Sequence, residues 1–104
     1  MFKNGMRPVH PGEVLSEEFL NPLSLTIDQL AAALNRPLKE VSELAQQKRD
    51  IDAATALRLA KAFGTSAEFW MNLQSMYSLR IAEMTASQAI GDVKALISPT
   101  LPFK

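Results

Sequence analysis

The chain has 104 residues, 47 % of them hydrophobic, which suits a single domain with one core and a thin margin of burial that a second copy would widen. It contains no cysteine, so a disulfide framework and a thiolate metal site are both excluded, and a reducing, cytoplasmic setting is the natural expectation. Its formal net charge is zero, so any contact with nucleic acid must come from a local patch and not from bulk charge.

That patch has the right polarity. Residues 36–61 carry six basic and four acidic side chains, whereas residues 1–35 carry two basic and four acidic ones. The opening MFKNGMRPVH lacks the apolar centre of a signal peptide, and no apolar run approaches the ~18 residues of a membrane span. Residues 1–9 read as a flexible arm, 10–84 as the folded domain and 85–104 as a partly loose C-terminal extension.

Pro11, Gly12 and Glu13 open the first helix, with proline and an acidic side chain in the first turn. Val14, Leu15 and Phe19 form its apolar side, and Asn21-Pro22 is expected to stop it. Thr26 with Gln29 makes a capping-box pattern before Ile27, Leu30, Ala31 and Leu34, which share one face of a second helix. Asn35 suits a left-handed C-terminal position. A third helix, Pro37–Gln47, carries Leu38, Val41, Leu44 and Ala45 inward and Lys39, Ser42, Gln46 and Gln47 outward, and is expected to fray at Lys48-Arg49-Asp50. Asp52 caps a fourth helix built on Ala56, Leu59, Ala60 and Phe63, which Gly64 ends. Thr65 with Glu68 forms a second capping-box pattern, predicting a long fifth helix lined by Trp70, Leu73, Tyr77, Ile81 and Met84. After an interruption at Thr85–Ser87, Ile90, Val93 and Ile97 support one more weak helix, with Gly91 against it.

No alternating strand pattern and no internal repeat is present. The fold class predicted is all-α. The second helix, Thr26–Leu34, is tightly apolar on one side. The third has a narrow apolar seam and a wide polar surface. That pairing is what a helix-turn-helix needs, since one helix braces across the DNA backbone while the other enters the major groove, about 12 Å wide, with its N-terminal half toward base edges. The same pattern also fits two ordinary bundle helices.

Longer blocks narrow the choice. Arg7-Pro8-Val9-His10-Pro11-Gly12-Glu13, then Ala56-Leu57-Arg58-Leu59-Ala60-Lys61-Ala62-Phe63-Gly64-Thr65-Ser66, then Phe69-Trp70-Met71-Asn72-Leu73-Gln74 and Tyr77-Ser78-Leu79 resemble, in order, the conserved blocks of the HigA-type (VapI-like) antitoxins. The resemblance spans residues 7–83. It implies a lambda-repressor-like fold of about five helices with a short C-terminal extension, a homodimer, binding to a double-stranded DNA operator in the protein's own promoter, and neutralisation of a RelE/HigB-like mRNA-cleaving toxin. It implies no cofactor.

On that basis Gln29, Lys39, Ser42, Gln46, Lys48 and Arg49 are the expected DNA-binding residues. Gln29 sits at a second-helix position where the family has glutamine; it is expected to contact a phosphate and brace the recognition helix, or to serve only the capping box, and the two roles are compatible. Lys39, Ser42 and Gln46 face outward at recognition-helix positions, although a solvated face would look the same. Lys48 and Arg49 would meet phosphate, or simply complement a helix C-terminus. Trp70, Leu73, Tyr77 and Ile81 are expected at a dimer interface, with core packing as the other reading of Trp70. Glu40 and Glu43 depart from the family pattern: a glutamate repels phosphate and reads a base only by accepting from cytosine. They favour an alternative in which the chain binds a toxin with weak or lost DNA binding; a stand-alone regulator is another.

Catalysis finds little footing. Glu17 and Glu18 are adjacent and diverge on a helix, and no nucleophile–base set or phosphate-cradling glycine loop is present. His10, the single histidine, is expected to order the first turn, since one histidine near Glu13 is too few ligands for zinc. No metal site and no enzyme is expected.

Overall fold

The structure is a computed structural model, and residues 7–97 are described. Most of the expected N-terminal arm and the tail from residue 98 lie outside them. Among the described residues the regular elements are helices, with no strand, as the all-α prediction required.

The first helix is a rod in three parts. α1 (Pro11–Val14) passes directly into a π-helical stretch, Leu15–Leu20, and then into α2 (Asn21–Leu23). Asn21-Pro22 does not stop it, contrary to the sequence expectation. Proline lacks an N–H and its ring crowds the carbonyl one turn back. The widened turn, closed by the Asn21 N–H on the Ser16 carbonyl, gives Pro22 room to stay helical.

α3 (Ile27–Leu34) begins at the capping box that the sequence predicts: Thr26 Oγ1 accepts from the Gln29 N–H at 3.1 Å, and Gln29 Oε1 accepts from the Thr26 N–H at 2.8 Å. α4 (Leu38–Ala45) follows after Asn35-Arg36-Pro37. α5 (Ala53–Phe63) is capped by Asp52, whose Oδ1 accepts from the Thr55 N–H at 2.9 Å. α6 (Ala67–Thr85) is capped by Ser66 and not by Thr65: Ser66 Oγ accepts from the Phe69 N–H at 3.0 Å. Thr65 Oγ1 instead accepts the Trp70 indole N–H at 2.8 Å. The Thr65–Glu68 capping box is therefore replaced by a cap one residue later. α7 (Ser87–Gly91) is short.

Four helix ends share one device. Ser24, Asn35, Gln47 and Gly64 adopt left-handed φ values of 55°, 57°, 66° and 71°. In each case the next N–H reaches five residues back: Leu25 to Leu20, Arg36 to Ala31, Lys48 to Glu43 and Thr65 to Ala60, at 2.8–3.1 Å. The end of α4 is thus closed at Gln47 and Lys48, not frayed.

The core gathers Leu15, Leu20, Leu30, Leu34, Val41, Leu44, Ala56, Leu59 and Trp70 from the π-helical stretch, α3, α4, α5 and α6, with Ile51 from the loop before α5. Trp70 is its largest member, fully buried, with the Phe19 and Phe69 rings 5.2 and 5.0 Å away. Of the side predicted for α6, Leu73 packs on this core, Tyr77 and Ile81 are half-buried, and Met84 is 62 % exposed. α6 outruns the core.

Candidate nucleic-acid interface

Val41 and Leu44 anchor α4 inward, both 2 % exposed. The helical repeat then places Lys39, Glu43 and Gln46 on one stripe turned away from the core, with Ser42 beside it. Lys39 and Gln46 are exposed, and Ser42 and Glu43 are half-buried. Gln46 Nε2 donates to Ser42 Oγ at 3.0 Å, tying two expected contact residues into one polar unit. Pro37, the N-cap of α4, offers no side-chain cap, so the first-turn N–H groups stay available.

α3 braces this helix. Gln29 is exposed at its start with its amide oxygen held by Thr26, which fixes its side-chain direction. At its other end, Arg58 Nη1 from α5 donates to the Leu34 carbonyl at 2.7 Å. Arg58 is therefore committed to the fold.

The two glutamates that the sequence singled out are both paired. Glu40 is held from both oxygens by Arg36: Nη2 donates to Oε1 at 2.6 Å and Nε to Oε2 at 3.0 Å. The Arg36 hydrogen bonds hold the Glu40 carboxyl below its ordinary pKa, while burial opposes them. Arg49 grips Glu43 differently, with Nη2 at 2.8 Å and Nε at 3.1 Å both on Oε1. Two of the local cations thus neutralise two carboxylates. Lys39 and Lys48 are exposed and, among the described residues, make no ion pair.

α4 is positioned by residues that sequence reasoning assigned only to the first turn. His10 Nδ1 accepts the Gly12 N–H at 2.8 Å and so caps α1. A Cβ on Gly12 would lie 2.0 Å from the Leu44 carbonyl oxygen, so the start of α1 rests directly on the end of α4 and only glycine permits it. The His10 ring packs edge-on against Tyr77 at 4.8 Å. Burial pushes the His10 pKa below the usual imidazole value, against the Asp50 charge and the Arg49 backbone. Arg7 closes the motif with a two-pronged pair to Glu13, at 2.9 and 2.7 Å. From α6, the buried Gln74 accepts the Ile51 N–H at 2.7 Å and donates to Ser78 at 3.1 Å. The loop after α4 is therefore pinned on two sides. The blocks that resemble the HigA-type family include His10, Gly12 and Gln74, but a close approach across 32 residues has no local signature.

Trp70, expected at a subunit interface, is 0 % exposed and holds the core together, leaving no surface for a second subunit. Tyr77 spends its ring on His10. No group of three metal-ligating side chains occurs among the described residues, and none of their helices is long and apolar enough to cross a membrane.

A braced helix, a tight left-handed turn and an uncovered polar helix define a helix-turn-helix protein. No protein-family profile matches the chain. It is 44 % identical to virulence-associated protein I of Dichelobacter nodosus over 78 % of this chain and 75 % of that relative. It is 39 % identical to antitoxin HigA-1 of Vibrio cholerae over 76 % and 74 %. Among solved structures, the Pseudomonas aeruginosa antitoxin HigA with the higBA promoter superposes with a TM-score of 0.84 at 41 % identity, covering 88 % of this chain and all of that one. The chain belongs to the HigA-type, VapI-like family of helix-turn-helix antitoxins.

Proposed function

We propose that the chain is the antitoxin of a toxin–antitoxin pair and represses its own promoter. A homodimer lays α4 of each subunit into adjacent major grooves of a palindromic operator. Lys39, Ser42 and Gln46 meet bases or backbone, and Gln29, Lys48 and Arg49 meet phosphate. The same chain binds a RelE/HigB-like mRNA-cleaving toxin in the cytoplasm and blocks it by occlusion, with no cofactor and no catalysis of its own.

The observation that carries this reading is the free outward face of α4, on a backbone superposing at a TM-score of 0.84 on a HigA bound to promoter DNA. The dimer is supported by α6, whose outer half leaves Met76, Leu79 and Met84 each more than 60 % exposed. The test is a titration of the chain with its own upstream DNA at two salt concentrations, together with co-purification alongside the product of the neighbouring gene. Specific, salt-sensitive binding to a two-fold symmetric site and a stable heteromeric complex are expected. No DNA binding at low salt would remove repression, and two proteins that fail to associate would remove the antitoxin role.

A further inference from the structure

Glu43 stands in the middle of the outward stripe of α4, between Lys39 and Gln46, where a bare carboxylate would repel DNA. The structure supplies the reason it is tolerated. Both Arg49 donors converge on Oε1, so the charge is balanced while Oε2 accepts no hydrogen bond among the described residues. Glu40 differs: each of its oxygens is occupied by Arg36, and its side chain is 16 % exposed against 30 % for Glu43. One glutamate is spent on structure, and the other has a free acceptor held in a fixed direction. An acceptor with no donor of its own, presented in the major groove, matches the exocyclic N4 amino group of cytosine; the adenine N6 amine is flanked by the N7 acceptor, which repels a carboxylate, and guanine O6 and thymine O4 are acceptors themselves.

We infer that Glu43 is a specificity-determining residue that accepts from a cytosine N4 amine in each operator half-site, and that Arg49 is its positioning residue. Arg49 Nη1 lies outside the pair and stays free to reach a phosphate, so one guanidinium orients the reader and offsets its charge at the backbone. This inference rests on the repressor reading given above.

The experiment is selection of duplexes from a randomised pool by the full chain and by Glu43→Gln, both first checked for equal thermal melting. Wild type is expected to select a two-fold symmetric site with an invariant C·G pair in each half. Replacing that pair by T·A should weaken wild-type binding about tenfold per half-site. Glu43→Gln should lose the cytosine preference or move it toward adenine, which a glutamine reads through N6 and N7. Arg49→Ala should relax the same position while leaving the others selected. A wild type that selects no sequence overturns the repressor reading. A wild type that selects a site while Glu43→Gln keeps every preference overturns only the inference. So does a Glu43→Gln variant that tightens on all sequences alike, which would make Glu43 a simple charge.

Discussion

Gly12→Ala tests how the N-terminal motif holds the recognition helix. The added Cβ would meet the Leu44 carbonyl oxygen at 2.0 Å and His10 Nδ1 at 3.1 Å. Ordinary contact begins near 3.4 Å, so α1 and the end of α4 must separate by roughly an ångström or more. The obstructing atom belongs to the backbone and cannot rotate aside. Alanine improves helix propensity by at most about 1 kcal/mol, whereas forcing atoms into a packed contact costs about 1–3 kcal/mol and more when a backbone must move. A net loss of about 2 kcal/mol lowers the melting temperature by roughly 8–16 °C in a domain of this size. Thermal unfolding followed by circular dichroism reads this directly. Because α4 itself is displaced, operator affinity should fall at temperatures where the variant is still fully folded. A variant that melts within about 2 °C of wild type and binds equally would refute the idea that this approach sets the position of α4.

Burial depresses the His10 pKa below its unfolded value of 6.5, so the unfolded chain binds the extra proton first and stability falls as pH drops below about 6.5. Protonation also removes the Nδ1 acceptor that caps α1. His10→Asn keeps a capping oxygen, so its denaturation midpoint should be nearly flat from pH 7 to 5.5 where wild type declines; parallel profiles would contradict the assignment. Gln74→Leu strands the buried Ile51 N–H and should cost about 1–3 kcal/mol in urea unfolding, a loss absent if that amide were solvated. Ser66→Ala should lower stability by about 1 kcal/mol while Glu68→Ala changes it little, and the reverse order would restore the Thr65–Glu68 capping box.

Much of this arrangement is written locally. The Thr26–Gln29 capping box, the left-handed Asn35 and Gly64, the Asp52 cap and the inward Val41 and Leu44 follow from spacing and residue chemistry alone, and they define the two helices of the site. Where neighbours compete, local rules lose. Thr65 and Ser66 can both cap, and the choice falls to Ser66 because the Trp70 indole claims Thr65. Pro22 remains helical because a widened turn accommodates it, and the apolar spacing of the sequence does not mark where such a turn falls. The electrostatics of the site were the least legible part. Glu43 meets Arg49 only because Gln47 takes a left-handed turn that folds the chain back along α4. Charge counting along the sequence therefore saw four separate charges where the fold makes two pairs. The role of His10 and Gly12 against the end of α4 was equally hidden, since it depends on a contact between distant segments.

The claim on which the rest depends is that the outward face of α4 meets the major groove. The absence of cysteine makes single-cysteine variants clean probes of it. Gln46→Cys, placed on that face, should form a disulfide with a thiol tethered from the major-groove edge of an operator base. Leu79→Cys, 63 % exposed as leucine on α6, should not. Efficient capture at residue 46 and none at 79 is the predicted result. Capture at 79 in preference to 46, or of a minor-groove tether in place of a major-groove one, would contradict the account.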